Sequence, residues 1–130
     1  MSTKILFTRH KLTEEQLLLS GLQDPCVPTN IVDATDLASV NIESMDQARQ
    51  IVADLRALVH PNEKLVQVYG VLPAPLRAEL LHLHNEMFDH SAEVSQQWEI
   101  YEAFNISRSV EGAKPTFQFH SWLLTSIFWL

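Results

Sequence analysis

The chain has 130 residues, a formal net charge of −7 at pH 7 and 46% hydrophobic residues. That length fits one domain, and the hydrophobic fraction is sufficient for a packed core. General binders of duplex nucleic acid are usually basic, because their affinity comes from displacing counterions from phosphates, so the acidic charge disfavours that class of partner. A compact anionic ligand stays possible, since a few arginines and helix N-termini can form a local positive pocket.

The cysteine count and the hydropathy of the terminal segments limit the class of protein further. Cys26 is the single cysteine, which excludes an intrachain disulfide and a multi-cysteine zinc site. The N-terminus lacks the pattern of a secretory signal, and the apolar residues 122–130 are about half as long as a membrane span. We therefore expect a cytoplasmic protein with no membrane partner, whose apolar C-terminal segment buries itself or forms a dimer contact.

The first elements are marked by short apolar runs and a capping signal. Residues 5–8 (Ile-Leu-Phe-Thr) predict a buried strand, and the basic segment 9–11 ends it. The Thr-x-x-Gln box at 13–16 predicts the start of a helix, and Gly21 is typical of its end. Residues 30–34 predict a second strand.

The middle of the chain has the clearest helical periodicity. Residues 35–43 are polar and have no definite pattern. A second capping box at 44–47 predicts a helix whose apolar residues recur at three- and four-residue steps as far as residue 59. Residues 64–69 predict a third strand, which Gly70 closes.

A parallel sheet with a terminal hairpin is predicted from the remaining elements. Pro75 suits the first turn of a third helix, where its missing N–H costs nothing. Residues 98–106 and 115–122 alternate with a period of two, which predicts two antiparallel strands joined by a polar turn. The order β-α-β-α-β-α-β-β predicts one Rossmann-like α/β domain over residues 1–130, with a mostly parallel sheet flanked by helices and a C-terminal antiparallel hairpin.

Two segments are candidate binding sites, because ligands of open parallel sheets bind beyond the carboxyl ends of the strands. Thr8, Arg9 and His10 follow the first strand; arginine offers a planar fork to phosphate, and histidine can carry a proton near neutrality. Gly70 ends the third strand and permits close approach of a ligand, and Arg77 lies in the first turn of the next helix. Solvated turn residues and an ordinary strand-to-helix connection are the alternatives at these two places.

Other polar clusters are weaker candidates. Arg108 near the hairpin turn could supply one more basic contact or could simply be solvated. His82 and His84 are two residues apart and face different sides of a helix, so they cannot easily share a metal ion. Asp33 and Asp36 are more simply explained by solvation. The sequence predicts neither a metal site nor a cofactor.

The two candidate segments also resemble a known family. Residues 5–16 resemble the N-terminus of small single-domain proteins associated with type III CRISPR systems, and residues 66–80 resemble their strand-glycine-helix segment. The hairpin at 108–119 is similar in a looser way, so the resemblance covers about a third of the chain. It implies a CARF-related domain that forms a homodimer and binds a cyclic oligoadenylate across its two-fold axis.

The activity that the resemblance implies is that of a ring nuclease, which switches off type III CRISPR signalling. A ribose 2′-hydroxyl attacks its own neighbouring phosphate without a metal ion, and the product is a shorter linear oligoadenylate. Fitted to this chemistry, Arg9 and His10 are the catalytic residues, through charge stabilisation and proton transfer respectively. The ligand-binding residues are then Thr8, Gly70, Leu72, Pro73, Arg77 and Arg108.

Two points leave other functions open. The family does not usually need two prolines so close to the glycine, and the tryptophan-rich segment 122–130 has no counterpart that we can match. One alternative is a protein of the same fold that senses or sequesters a cyclic nucleotide without cleaving it. The other is a protein-interaction module that uses the apolar C-terminal segment.

Overall fold

The computed structural model describes residues 2–23, 30–89, 96–108, 112 and 116–130. Its elements are, in chain order, β1 (Ser2–Phe7), α1 (Glu14–Leu19), β2 (Asn30–Asp33), α2 (Thr35–Ala38), α3 (Met45–Ala57), β3 (Leu65–Gly70), α4 (Ala74–Asp89), β4 (Gln97–Arg108) and β5 (Thr116–Trp129). The strands form one sheet in the order β2-β1-β3-β4-β5, parallel except for the antiparallel pair β4–β5. The predicted α/β fold, with its mostly parallel sheet, flanking helices and C-terminal hairpin, is confirmed.

The chain changes direction across the sheet after β2, and this places its helices on both faces. From β1 it moves outward to β2, and it then crosses over β1 to reach β3. Right-handed crossovers in opposite directions put their helices on opposite faces. Accordingly, Leu17 of α1 packs near Leu6 and Tyr69 on one face, whereas Ile51 of α3 and Leu76 of α4 pack on the other.

The main core lies between the sheet and helices α3 and α4. The strands contribute Ile5, Val68 and Ile100, all of which are essentially inaccessible to solvent. Trp98 is also buried there, and its indole Nε1 donates a hydrogen bond of 3.1 Å to the side-chain oxygen of Gln96. Burial of this many large apolar side chains supplies the main stabilising free energy of the domain.

Both predicted capping signals begin helices, but only one forms the complete reciprocal box. At α1, Thr13 accepts from the backbone of Gln16, and the Gln16 side chain accepts from the backbone of Thr13. At α3, Ser44 accepts from the backbone N–H of Gln47 at 3.3 Å. The side chain of Gln47, however, accepts from the backbone of Glu43 at 2.6 Å rather than from Ser44.

The C-terminal segment forms most of a long edge strand. β5 runs to Trp129, well beyond the predicted end at residue 122, because its apolar residues find a partner strand in β4. Phe128 and Leu130 are buried in the core, which agrees with the expectation that the apolar C-terminal segment buries itself. Leu124 and Ile127 of the same strand keep more than 40% of their surface exposed.

The structure also contains a short helix that the sequence did not predict. The polar stretch 35–43 contains the short helix α2, which has too few turns for any periodicity to show.

α4 begins at Ala74, immediately after Pro73, so Pro75 lies in its first turn as predicted. None of the helices in the described part of the chain is long and apolar enough to cross a bilayer. Cys26 lies outside the described residues.

The carboxyl ends of β1 and β3 come unusually close at Gly70. Phe7 is the register partner of Gly70 in the parallel β1–β3 pair. A Cβ atom on Gly70 would lie 1.9 Å from the carbonyl oxygen of Phe7, and the residue has φ of +149°, which side chains rarely permit. Glycine is therefore required here both by the space and by the backbone conformation.

We predict that Gly70→Ala lowers the free energy of unfolding by more than about 3 kcal/mol, because the Phe7 carbonyl must move and the backbone is strained. Gly21→Ala is the matched control, since Gly21 also has positive φ (+76°) but nothing lies within 4 Å of its added Cβ. That control should lose only about 1 kcal/mol. Urea denaturation of both variants checks the prediction, and equal losses would contradict it.

Candidate functional site: a cleft at the carboxyl ends of β1 and β3

A cleft of about 630 Å³ opens where the strand order reverses, between the carboxyl ends of β1 and β3. Helices from the two sides of an open sheet diverge at such a point, which is where these folds bind ligands. The volume lies within the range of ~300–1,000 Å³ that is common for small-molecule sites. Position and size together make this cleft the candidate functional site.

The wall of the cleft is predominantly apolar. Among the described residues, three polar side chains line it, those of Thr8, Arg9 and Asn41. The other lining residues are Phe7, Ala38, Val40, Ile42, Gly70, Val71, Pro73, Pro75, Ala103 and Trp122. A ligand that fits this wall must present mostly apolar surface, with an anionic or polar group near the arginine.

The turn after β1 carries the basic part of the site. The hydroxyl of Thr8 donates a 2.7 Å hydrogen bond to the backbone carbonyl of His10, which closes the turn around Arg9. Arg9 and His10 are both exposed, and Arg9 is part of the cleft wall. His10 is next to the cleft but does not line it. The turn therefore places Arg9 in the cleft wall and leaves His10 outside it.

The segment after β2 forms the opposite wall and depends on Asp33. The carboxylate of Asp33 accepts hydrogen bonds from the hydroxyl of Thr35 and, at 2.9 Å, from its backbone N–H. The hydroxyl contact and then the backbone contact hold the pKa of Asp33 below its usual value. These two hydrogen bonds hold Thr35 at the start of α2. After α2 the chain continues to Asn41 and Ile42, which line the cleft. Asp33 therefore has a structural role besides the solvation expected from the sequence, and its Asp-x-Thr spacing is a known turn signal.

The third wall comes from the C-terminal hairpin and includes Trp122. The indole of Trp122 meets the ring of Tyr69 edge-on, with 5.1 Å between ring centroids and an interplanar angle of 78°. Tyr69 in turn stacks on Tyr101 at 4.9 Å and 13°. Burial, followed by the charges of Tyr101 and Glu99, raises the pKa of Tyr69 to about 12, so it stays neutral. This aromatic row fixes the indole beside the cleft.

Four of the residues predicted from the sequence line this cleft, namely Thr8, Arg9, Gly70 and Pro73. Leu72 lies in the main hydrophobic core and does not line the cleft. Arg108 ends β4, and its side chain falls outside what the structure describes. The sequence reasoning did not single out Asn41 or Trp122.

Arg77 makes contacts to the hairpin instead of lining the cleft. Its guanidinium forms an ion pair with Glu102 of β4 and donates to the hydroxyl of Ser126 in β5 at 2.7 Å. Its Nε also donates to the carbonyl of Leu72 at 3.4 Å. These bonds join α4 to β4 and β5, which gives the arginine a structural role in the geometry seen here. Its predicted contact with a ligand stays a prediction.

The histidines of α4 also make contacts within the fold. The Nε2 of His82 lies 3.1 Å from a carboxylate oxygen of Glu86. The Nδ1 of His84 accepts the backbone N–H of Trp129 at 2.9 Å, which ties α4 to the end of β5. His82 and His84 thus interact with different elements.

We predict that Thr35→Ala raises the pKa of Asp33 toward its usual value of 3.8, because the hydroxyl contact is the largest cause of the depression. A carboxyl group whose pKa is lowered by folding stabilises the folded state at pH values above its unfolded-state pKa. This stabilisation is lost as the pH falls through the folded-state pKa. The variant should therefore lose less stability than the wild type between pH 5 and strong acid. NMR titration of the Asp33 carboxyl checks this, and an unchanged pKa would contradict it.

We predict that Arg77→Ala destabilises the protein by about 1–2 kcal/mol through the lost ion pair and hydrogen bonds. Arg56→Ala is the matched control, because it removes the same charge from an exposed position on α3 and should cost less than about 0.5 kcal/mol. Thermal unfolding compares the two. If Arg77→Ala melts like Arg56→Ala yet loses affinity for an anionic ligand, the structural assignment is wrong and the ligand contact is supported.

Comparisons of the chain with models of protein families, with curated proteins and with solved structures found no match.

Proposed function

We propose that this protein is a CRISPR-associated ring nuclease that degrades a cyclic oligoadenylate, with cyclic tetra-adenylate as the expected substrate. The observation that supports this most is the convergence of Thr8, Arg9 and Gly70 at one cleft, at the reversal point of the sheet. These residues belong to the two segments that resemble the family. Gly70 is more than sixty positions from Thr8 and Arg9 in sequence, so residues of both segments meet only through the fold.

Arg9 is the group best placed to bind phosphate. Its planar guanidinium donates in a fork that matches two phosphate oxygens. The whole chain carries a net charge of −7, so general attraction of a polyanion is weak. Recognition of an anionic ring must then come from a local contact of this kind.

The size of the ligand supports the proposed homodimer. A ring of four nucleotides is larger than a cleft of about 630 Å³. A two-fold dimer with facing clefts would double the volume and bring two copies of Arg9 to one ring. The proposed partner is therefore a second copy of this chain, with the ring across the two-fold axis.

The proposed reaction moves one proton and exchanges one bond at phosphorus. The ribose 2′-oxygen forms a bond to its own neighbouring phosphorus, and the bond from phosphorus to the leaving 5′-oxygen breaks. The 2′-hydroxyl loses a proton and the 5′-oxygen gains one, which leaves a 2′,3′-cyclic phosphate and a 5′-hydroxyl. His10 is the candidate for the proton transfer, and Arg9 for stabilising the charge on the phosphate oxygens. In-line geometry makes positioning of the ribose essential.

A binding protein that does not cleave its ligand is the second candidate. It is favoured by the exposure of His10, which does not line the cleft. Such a protein would keep Arg9 for affinity and would need no proton-transfer group. Protein interaction is the third candidate, favoured by the exposed leucines of β5, Leu123 and Leu124.

We predict that the purified protein converts cyclic tetra-adenylate to linear products in the presence of EDTA. Chromatography with mass measurement identifies the products, and a 2′,3′-cyclic phosphate end is expected from the proposed attack. An intact ring that raises the melting temperature would replace the nuclease with a sensor or sponge. An intact ring with no thermal shift would contradict both nucleotide functions for this ligand.

We predict that the two basic residues of the turn have separable effects. His10→Ala should slow cleavage by about 100-fold or more with little loss of binding, because general acid–base catalysis contributes that factor. Arg9→Ala should weaken binding about 10-fold or more, because a charge-assisted contact to phosphate is lost. Lys11→Ala is the control, as Lys11 is exposed and does not line the cleft. Wild-type cleavage by His10→Ala would remove His10 from the mechanism.

A further inference from the structure

Phosphate recognition accounts for only one corner of the cleft. Arg9 supplies the single cationic side chain among the described lining residues, and most of the remaining wall is apolar. A sugar–phosphate chain lying in this wall would lose its hydration without gaining hydrogen bonds, which is unfavourable. The apolar wall must therefore receive a different part of the ligand.

A heterocyclic base has the surface that this wall can receive. Its two faces are apolar and planar, and only its edge carries hydrogen-bonding groups. Val71 and Trp122 line the cleft, and Val71 has 71% of its surface exposed. A valine this exposed, beside an indole held by Tyr69, offers apolar surface that a stacked base would cover.

Asn41 lines another part of the wall and has a side chain that can bond to the edge of a base. It lies in the segment after α2, and its carboxamide carries both a donor and an acceptor. An amide of this kind pairs with the amino group and a neighbouring ring nitrogen of adenine. At the edge formed by the 6-position and N7, guanine and hypoxanthine present two acceptors, O6 and N7, so the amide can form only one of the two bonds in either orientation.

We infer that Asn41 and Trp122 determine which base the nucleotide subsite in each cleft accepts: the base packs against Trp122, Asn41 reads the base edge, and Arg9 binds the phosphate. The inference deepens the proposed function and rests on it for the source of the nucleotide. It assigns the discrimination of adenine to Asn41 and the affinity for the base to Trp122. Neither role depends on cleavage of a ring.

The test uses AMP and IMP, which share the ribose phosphate and differ at the base edge. Isothermal titration of the wild-type protein should show tighter binding of AMP by about 10-fold, the factor expected for one good bidentate base contact. Asn41→Ala should bring the affinities for AMP and IMP together. Trp122→Ala should weaken both by about 10-fold or more, and Trp122→Phe should restore part of that loss. Leu124→Ala, an exposed residue of the same strand, should leave both affinities unchanged.

Several outcomes separate this inference from the proposed nuclease. Selective AMP binding that Asn41→Ala and Trp122→Ala abolish supports the subsite, even where cyclic tetra-adenylate stays intact. Wild-type affinity in folded Trp122→Ala, or equal wild-type affinity for AMP and IMP, overturns it even where the ring is cleaved. Absence of AMP binding at millimolar concentration also overturns it. Far-ultraviolet circular dichroism of each variant verifies that the fold is retained.

Discussion

The close approach of β1 and β3 at Phe7 and Gly70 is the constraint on which the rest of the site depends. Only a residue without a side chain lets the Phe7 carbonyl lie where a Cβ would otherwise be. The same pair of strands is where the chain reverses its direction across the sheet, so helices leave on opposite faces and a cleft opens at the carboxyl ends. One backbone contact thus aligns the turn that carries Arg9 with the Gly70 turn.

The cleft also explains how an acidic chain could bind an anionic ligand. Arg9 at the end of β1 is the cationic residue among the described lining residues, and the apolar wall is where we propose that a base packs. Desolvated contacts with the base would add to the affinity from this arginine, and salt screens them less than exposed charge pairs. The net charge of −7 then acts against longer polyanions without preventing binding of a small ring.

The sequence predicted those features that depend on local pattern. Alternation, periodicity and the Thr13 capping box identify most strands and helices, and the rule for parallel sheets places Arg9 and Gly70 at one edge. The contacts that were missed join distant residues. Arg77 meets Ser126 49 positions away. Trp122 pairs with Ala103 between two irregularities in the β4–β5 register, which no local pattern reveals. Asn41 follows a helix too short to produce a periodic signal.

Amide chemical-shift mapping would show whether the carboxyl-end cleft binds the nucleotide. Cyclic tetra-adenylate would be titrated into ¹⁵N-labelled protein in EDTA, with the His10→Ala variant used to keep the ring intact. We expect the largest shifts at Thr8, Arg9, Asn41 and Gly70 and at the Trp122 indole. Shifts confined to α3 or to the exposed part of β5, with the cleft amides unmoved, would contradict binding at the cleft.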